Sequence, residues 1–375
     1  MAKKYPKQTH GSHGKGSARP DPEPRNDARV AGAPRAEPAP RAAATSGGGA
    51  QRLYLLHAHT PVHIGGDQGL SSVDLPTQRE AHTAFPLIPG SSVKGVLRDA
   101  TEQSGGLDHK DTLSTFGPPS KMAGDFRGGI VLTDALLLCL PVRSLAGTFA
   151  WVTCPLALRR LVRDLGECGV SVPGWKQLAH AAPSQAALVC AGADGAASSR
   201  LAVGGRVFLE DYVLTASADP RVNVLASWLG QQLWRDDPET TQFYSDRLAV
   251  VSDDLFSFCA RHHLEIRTRV KIDDATGTAA ASGPWSEEHI PAETLMFGVA
   301  SGRPTLFRKR WDAKKDEDKD QGAREPANQL YEHEESRDAR SSLSVVERLS
   351  NQILRFGGKS SVGLGRARLV FGGAP

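Results

Sequence analysis

Short β-strand patterns and amphipathic helix patterns follow one another in an irregular order along most of this chain. Runs rich in Val, Leu and aromatic residues predict strands at 52–60, 128–142, 147–154, 206–215 and 367–371. Helices are predicted at 89–105, 155–169, 220–234 and 342–356, and residues 247–263 combine a strand with a helix. Because strands and helices do not alternate regularly and hairpins occur among them, an α+β fold is favoured over a doubly wound parallel sheet.

Three segments differ in character from these elements. Residues 1–50 are rich in Pro, Ala, Gly, Lys and Arg and nearly lack large apolar side chains, which predicts a disordered basic tail. Residues 264–300 predict a long hairpin with an extended tip. Residues 312–342 are highly charged and predict a mobile insertion. The folded domain is therefore expected to span residues 51–375.

Charge and cysteine content narrow the classes of function. Residues 1–50 carry nine Lys and Arg against four Asp and Glu, whereas the remainder carries 36 against 38. A nucleic acid bound by the folded part must therefore contact local basic patches. The five cysteines include no CxxC pair, which is typical of a reducing cytoplasm, and no apolar run approaches the length of a transmembrane helix. We expect a soluble, cytoplasmic protein without a disulfide framework and without membrane partners.

The loop at 60–88 places many functional side chains on a segment with no regular hydrophobic period. They are Asp74, Gln78, Arg79, Glu80 and His82. An exposed carboxylate with an ordinary pKa is a poor general base. Asp74 becomes useful by holding a divalent metal ion or a water against a phosphodiester, and the other four side chains either orient that phosphate or fix the loop.

The segment PGSSVKG, directly after this loop, predicts a helix start. Ser91 or Ser92 is expected to be the N-cap residue. Exposed N–H groups at a helix N-terminus attract an anion, and Lys94 beside them favours a phosphate contact. Capping alone explains the two serines equally well.

The glycine-rich loop at 356–366 contains GGKSS, which resembles part of a phosphate-binding loop of nucleotide triphosphatases. That motif requires a glycine five positions before Gly358, where Ile353 stands, so the triphosphatase interpretation fails. A flexible loop with free N–H groups, Lys359 and Arg366 remains, and it suits RNA phosphates.

Three histidines form a further candidate site. His57 and His59 lie two residues apart on a predicted strand and therefore point to the same face, and His63 follows. Such a group could bind zinc, although metallohydrolases of this kind place Asp directly after the pair, and here Thr60 follows. A histidine pair in the core or on the surface is the favoured interpretation.

The segment VDLPTQREAHTAFPLIPGSSVKGVLRD closely resembles the signature of the repeat-associated RAMP proteins, and more narrowly that of the backbone subunit of the Cmr (type III-B) CRISPR effector complex. FAWVTCPLALRRL, RLAVVSDDLF, RVKIDDATGTA with IPAETLMF, and GGKSSVGLGRARL follow in the order expected for that subunit, so the resemblance covers roughly residues 52–372. Thr77 departs from the pattern, because a bulkier apolar residue is usual there; we expect this position to pack under the loop.

This resemblance implies a modified ferredoxin-like, RRM-like palm with finger insertions and a thumb-like β-hairpin. It implies head-to-tail stacking of copies along a guide RNA, association with other Cmr-type subunits, and cleavage of the bound target RNA at regular intervals. It also implies that Asp74 is the catalytic residue and acts with a divalent metal ion, Mg²⁺ or Mn²⁺. The expected RNA-binding residues are Arg79, Ser91, Ser92, Lys94, Arg98, Gly358, Lys359, Gly363, Gly365 and Arg366, and the secondary candidates are His63, Glu80, His82, Glu287 and Glu288.

Three alternatives remain open from the sequence. A structural filament protein would bind RNA without cutting it, and Asp74 by itself does not decide between these two functions. A guide-processing RAMP ribonuclease would act as a monomer on precursor RNA. A histidine metallohydrolase would bind zinc through His57, His59 and His63.

Overall fold

The computed structural model describes residues 50–66, 73–104, 109–118, 127–172, 174–180, 184–279, 283–306, 336–337 and 339–372. The tail predicted at 1–50 lies outside these residues except for Ala50, and so does the charged insertion predicted at 312–342 up to residue 335.

Strands and helices occur in both halves of this part of the chain. The strands are β1 Gln51–Ala58, β2 Leu87–Ile88, β3 Ile130–Leu132, β4 Ala135–Arg143, β5 Phe149–Thr153, β6 Ala186–Val189, β7 Ala202–Val203, β8 Arg206–Leu209, β9 Tyr212–Ala218, β10 Leu248–Val250, β11 Glu265–Arg269, β12 Trp285–His289, β13 Leu295–Gly302, β14 Thr305–Leu306, β15 Ser336–Arg337, β16 Ile353–Arg355 and β17 Arg366–Gly372. The helices are α1 Gly90–Gln103, α2 His109–Phe116, α3 Pro155–Glu167, α4 Trp175–Leu178, α5 Pro220–Leu233, α6 Pro238–Ser245, α7 Asp253–His262 and α8 Ala339–Glu347, and a 3₁₀ turn covers Ser360–Val362.

One large mixed sheet organises these elements. Thirteen strands join in the order β16-β17-β1-β13-β4-β5-β10-β6-β9-β8-β7, with β2 beside β4 and β3 beside β13. Pairing is antiparallel except between β5 and β10 and between β6 and β9. Strands β11 and β12 form a separate antiparallel hairpin. The predicted α+β class is confirmed, because helices cover a mainly antiparallel sheet instead of alternating with parallel strands.

Strand β1 lies between β13 and β17 in the sheet, and both of its faces are buried. Successive side chains of a strand point to opposite faces. Leu53 and Leu55 accordingly join a core packed by α3, α5 and α7, whereas Tyr54 and Leu56 join a second core packed by α1, α2 and α8. The end of β1 leads directly into the candidate catalytic loop, so the buried strand anchors that loop.

Several predicted boundaries of strands and helices are wrong. Residues 206–215, predicted as one strand, form a hairpin of β8 and β9 that turns at Glu210, whose φ is 47°. Residues 128–142 divide into β3 and β4. The helix predicted at 342–356 ends at Glu347, and Ile353–Arg355 instead pairs with β17. Within the predicted hairpin at 264–300, β11 and β12 pair, but β13 leaves the hairpin and enters the large sheet between β1 and β4.

The structure bears on the expectations for the cysteines and for membrane-spanning helices. All five cysteines are free, and four of them are buried. Among the described helices, none combines the length and the apolar character needed to cross a membrane.

Candidate active site

The segment around Asp74 is held against strand β12 of the β11–β12 hairpin by an isolated β-bridge. Leu75 pairs in parallel with Glu287: its N–H donates to the Ser286 carbonyl oxygen over 3.0 Å, and its own carbonyl accepts from the Glu288 N–H over 3.0 Å. The loop that the sequence predicts as catalytic is therefore fixed by a partner more than 200 residues later in the chain.

Asp74 is exposed and is oriented by one residue, Ser286. The Oδ2 atom of Asp74 accepts hydrogen bonds from the backbone N–H and from the hydroxyl of Ser286, both over 2.8 Å. The Asp74 N–H in turn donates to the Ser286 hydroxyl over 3.0 Å. The backbone and side-chain hydrogen bonds from Ser286 lower the pKa of Asp74, so the carboxylate is ionised at neutral pH. Within the described part of the chain, Oδ1 has no hydrogen-bond partner and is open to a ligand.

Glu287 lies next to Ser286 and is completely buried. Its Oε1 accepts from Lys359 Nζ over 2.6 Å and from the Trp285 indole N–H over 2.8 Å, and its Oε2 accepts from Arg269 Nε over 3.0 Å. Burial by itself would raise the pKa of Glu287, but the hydrogen bond from Lys359, that from Trp285 and the two nearby positive charges hold it at about 2. The carboxylate thus joins the glycine-rich loop to the hairpin.

Glu288 faces the opposite side of β12 and fixes the loop after Asp74. Its Oε1 accepts from Arg79 Nη2 over 2.6 Å, and its Oε2 accepts from the Thr77 N–H over 3.0 Å. Thr77 is buried under the loop, as expected for its position. His63 Nδ1 lies 2.8 Å from the Glu288 carbonyl oxygen, and the His63 ring lies 5.4 Å from that of the buried His289.

Glu80 and His82 lie on the outer part of the same loop and contact α3 instead of Asp74. Arg160 Nη1 donates to both oxygens of Glu80 over 2.9 and 3.0 Å, and the hydroxyl of Thr83 also donates to Glu80. Arg160 Nη2 lies 3.1 Å from His82 Nε2. These contacts fix the loop, which was one of the two roles considered for its charged residues.

The glycine-rich loop runs along the segment that follows β1. The N–H of Gly358 donates to the His63 carbonyl over 3.0 Å, and the N–H of Gly365 donates to the Pro61 carbonyl over 2.9 Å. Gly365 has φ 79°, and a Cβ at this position would lie 2.2 Å from the Phe356 carbonyl oxygen. Only glycine fits there.

Within this loop, Lys359 and Gly363 flank the 3₁₀ turn, both in the left-handed conformation. The ammonium group of Lys359 is bonded to Glu287, and it therefore faces inward. Arg366 at the start of β17 is exposed. Contact of these residues with RNA stays a prediction.

The start of α1 differs from the prediction. Pro89 is the N-cap residue, and Ser91 and Ser92 lie inside the helix, because Asp134 Oδ1 accepts from the Gly90 N–H over 2.8 Å and takes over the capping role. The carboxylate of Asp134 therefore already lies at the N-terminus of α1, where an RNA phosphate was expected.

The basic residues of α1 are also engaged within the protein. Lys94 Nζ lies 3.4 Å from the Ile130 carbonyl oxygen, and burial, followed by the charge of Arg98, lowers the pKa of Lys94. Arg98 Nε contacts Glu102 over 3.0 Å. RNA binding by Ser91, Ser92, Lys94 and Arg98 stays a prediction.

The histidines do not form a metal site. The His57 and His59 rings lie 5.1 Å apart, but His63 turns away toward His289. Over the described ranges, no group of three or more His, Cys, Asp or Glu side chains could hold a metal ion. Among the described residues, a divalent ion at Asp74 would find one carboxylate, and RNA and water would supply its other ligands; this suits Mg²⁺, because this ion retains waters and binds phosphates.

Sequence reasoning missed Ser286, Trp285, Arg269 and Arg160, all of which contact the loop or the residues beside it. The contact between Arg269 and Glu287 could be predicted in part, since the two residues lie on opposite arms of the predicted hairpin. Their pairing depends on a register that the sequence leaves open.

Comparisons with known proteins agree on one family. A model of the RAMP superfamily matches residues 55–368. The chain is 35% identical over 250 residues to the CRISPR system Cmr endoribonuclease Cmr4 of Pyrococcus furiosus, covering 66% of this chain and 81% of that protein. The crystal structure of oligomeric Cmr4 from Pyrococcus furiosus superimposes with a TM-score of 0.59 at 25% identity, covering 86% of this chain and 98% of the other. A subunit of the type III-B Cmr-beta complex bound to cognate target RNA has the same fold, with a TM-score of 0.59 at 17% identity over 86% of this chain and 96% of that one.

Proposed function

This chain belongs to the RAMP superfamily, and on that premise we propose that it is the backbone endoribonuclease subunit of a type III-B CRISPR effector complex. It binds guide RNA and cuts the complementary target RNA at regular intervals. The relative with 35% identity is named as a Cmr endoribonuclease, which supports the activity, and a solved Cmr-beta complex contains target RNA, which supports the class of substrate.

The observation that carries this proposal is the position of Asp74. Its carboxylate is exposed, ionised and fixed through one oxygen by Ser286, while the other oxygen accepts no hydrogen bond from any residue that the structure describes. A carboxylate that only closes a turn bonds within that turn, whereas Asp74 is held by a separate hairpin. Its geometry suits a group that must meet a substrate arriving from solvent.

The chemistry requires little from the protein beyond positioning. A target nucleotide splayed out of the guide–target duplex rotates its ribose so that the 2′-oxygen lines up with the adjacent phosphorus. Attack by that oxygen, whose hydroxyl proton is lost to water, displaces the 5′-oxygen of the next nucleotide, which takes up a proton from water, and leaves a 2′,3′-cyclic phosphate. Alignment can contribute about 7–11 kcal/mol at best. A divalent ion held by Asp74 would supply positive charge for the phosphate oxygens and lower the pKa of bound water.

The surrounding residues keep Asp74 in place. Glu288 and Arg79 brace the loop, and the buried Glu287 ties the hairpin to the glycine-rich loop through Lys359. We expect Glu287 and Glu288 to act through this positioning, since both carboxylates are already bonded within the chain. Stacking of copies head to tail along the guide, with other Cmr-type subunits beside them, is part of the same proposal.

A purely structural RNA-binding subunit is the second candidate. It is favoured by the lack of a second carboxylate near Asp74 that could complete a metal site, as far as the described residues extend. Cleavage of bound target RNA distinguishes the two candidates, because only the endoribonuclease cuts it.

The test compares complexes reconstituted with guide RNA and labelled matching target RNA. Wild type should give a Mg²⁺-dependent ladder of evenly spaced products, and Asp74→Asn should abolish it while target binding is retained. Asp211→Asn, an exposed aspartate in the turn between β8 and β9, is the matched control and should cut normally. Cutting by Asp74→Asn at the wild-type rate would refute the catalytic assignment, and a wild-type complex that binds target without cutting it would establish the structural candidate.

A further inference from the structure

A cleft of about 800 Å³ lies between β9 and α7. It shares no lining residue with the cluster around Asp74 or with the glycine-rich loop, and the function proposed above does not use it. Strand β6 begins opposite Thr215, so among the described strands β9 has no neighbour on that side at residues 212–214. Residues 212–215 all line the cleft, and side chains from both faces of β9 therefore reach it.

One end of the cleft is aromatic and exposed. The rings of Tyr212 and Phe258 lie 5.6 Å apart at an interplanar angle of 72°, so they form a corner. The two residues remain 37% and 40% exposed, although phenylalanine is among the residues most often buried. The ring of His262 lies 4.5 Å from that of Phe258 and helps to hold it in place. The corner is a preformed surface for a flat ring, which can stack on one aromatic face and meet the edge of the other.

Asp254 supplies a free carboxylate beside this corner. It lies one turn before Phe258 on α7, and residues four apart share a helix face. It is exposed, and in the described part of the chain its side chain forms no hydrogen bond and no ion pair. A carboxylate accepts hydrogen bonds through two oxygens side by side and donates none. A ring that lies in the corner and reaches Asp254 must therefore present donors on its edge.

Arg206 is the second charged residue of the cleft, and with Asp254 it completes the charged groups of the described lining. It lies opposite Thr215 in the β8–β9 register, three residues or about 10 Å along β9 from Tyr212. Its guanidinium group forms no ion pair with any residue that the structure describes, and such a group favours phosphate. The hydroxyl of Thr215 and the side-chain amide of Gln185 are likewise unbonded over the described ranges, and they suit the hydroxyls of a sugar.

These features together fit a guanosine nucleotide. Guanine is flat and presents two adjacent donors, N1–H and the exocyclic N2–H, which match the two oxygens of a carboxylate. Adenine and cytosine each place an acceptor nitrogen beside their one donor group, and that nitrogen would repel Asp254. Uracil has a single N–H between two carbonyl oxygens. Proteins read an unpaired base by stacking it on aromatic side chains and by hydrogen bonds to this same edge.

We propose that the cleft between β9 and α7 binds a guanosine 5′-phosphate unit, with its base on Tyr212 and Phe258, its donor edge on Asp254 and its phosphate on Arg206. A free nucleotide and a guanosine within a single RNA strand share this chemistry. The site is separate from Asp74, so the inference goes beyond the proposed function and does not depend on it.

Calorimetric titration of GMP into the full chain tests the site, with AMP as the comparison. GMP should bind saturably and about tenfold more tightly than AMP, a factor typical of one well-placed pair of hydrogen bonds to a base. Asp254→Asn should remove this preference, whereas Asp99→Asn, at an exposed aspartate of α1, is the matched control and should retain it. Equal affinity of wild type for the two nucleotides would overturn the guanine assignment. No saturable binding of either would refute the site and leave this surface to a protein partner.

Two further variants separate the ring contact from the phosphate contact. Phe258→Ala should weaken GMP binding about tenfold because a stacking surface is lost, whereas Phe243→Ala, at an exposed phenylalanine of α6, should not. Arg206→Ala should make GMP bind no better than guanosine, and Arg303→Ala, at an exposed arginine just after β13, is its control. Thermal unfolding confirms that each variant is folded. If wild type binds guanosine as tightly as GMP, the role of Arg206 is wrong.

Pentaribonucleotides identify the source of the nucleotide. UUGUU and UUAUU differ only in the central base, and contacts to the RNA backbone elsewhere on the chain do not distinguish them. Tighter binding of UUGUU, lost in Asp254→Asn, would assign the guanosine to an RNA strand. Equal binding of the two, with the preference for GMP retained, would assign the site to a free nucleotide. Target cleavage does not enter this test, so its failure leaves the proposed function unaffected.

Discussion

Asp74 and Ser286 form a reciprocal pair, in which the carboxylate of Asp74 accepts from both the N–H and the hydroxyl of Ser286, and the N–H of Asp74 donates back to the same hydroxyl. The pair joins the loop after β1 to the first residues of β12. An exposed side chain on an irregular segment would otherwise sample several rotamers. The orientation of Asp74 is therefore a property of the hairpin as much as of its own loop.

Ser286→Ala should slow target cleavage several-fold and shift the acid limb of the pH–rate profile to higher pH. The hydrogen bonds from Ser286 lower the pKa of Asp74, so wild type keeps the carboxylate ionised as the pH falls. Without the hydroxyl only the backbone hydrogen bond remains, the pKa of Asp74 rises, and activity is lost at a higher pH than in wild type. Single-turnover cleavage rates across the acid range check this.

Ser286→Thr is the matched control, since it keeps a hydroxyl and should restore most of the rate and the wild-type acid limb. Coincident acid limbs for wild type and Ser286→Ala would show that the hydroxyl does not orient the reacting carboxylate.

The Glu287–Lys359 pair should show strong coupling in a double-mutant cycle. Glu287→Gln leaves Lys359 and Arg269 without their buried counter-charge, and we expect it to lower the free energy of unfolding by about 3–5 kcal/mol. Lys359→Met should cost less, because Arg269 still neutralises Glu287. The double variant should be more stable than the sum of the two single effects predicts, by about 0.5–3 kcal/mol. Urea unfolding of the four proteins measures this, and additive effects would contradict the coupling.

The pKa of Glu287 also predicts a pH dependence of stability. Its value falls from 4.5 to about 2 in the folded chain. A carboxylate whose pKa is lower in the folded than in the unfolded chain stabilises the fold, and this stabilisation is complete at pH values above the pKa of the unfolded chain. The contribution is lost as the pH falls from about 4.5 toward 2. The loss amounts to about 3 kcal/mol. The difference in unfolding free energy between wild type and Glu287→Gln should shrink over that range, and a constant difference would exclude this role.

The sequence predicts the elements of this fold better than their connections. The helices starting at Pro155 and Pro220 and the last strand were predicted within a few residues, because proline starts and apolar periodicity act locally. Capping of α1 by Asp134 was missed, because it depends on how the β3–β4 turn packs on the helix. Ser286 was missed for the same reason: its contact with Asp74 depends on the register of a parallel pairing that no local pattern encodes. Asp74 itself was found through a family resemblance and not through its spacing.

Two glycines of the glycine-rich loop should respond differently to the same substitution. Gly365 has a left-handed backbone, and a Cβ there would lie 2.2 Å from the Phe356 carbonyl oxygen. Gly358 has no atom within 4 Å of its would-be Cβ and no positive φ. Gly365→Ala should therefore lower the free energy of unfolding by about 1–3 kcal/mol, whereas Gly358→Ala should change it by less than about 0.5 kcal/mol.

The same pair tests whether the loop carries the guide past the active site. Displacement at Gly365 moves the adjoining Arg366 and strains the hydrogen bond to Pro61, so Gly365→Ala should also weaken guide binding by the assembled complex. Gly358→Ala should bind guide as wild type does, because its N–H still donates to His63. Thermal unfolding and guide retention across salt concentrations, measured on both variants, show whether the loop carries the guide. Equal guide retention by the two variants, with only stability separating them, would show that the loop supports the fold and leaves the guide to other surfaces.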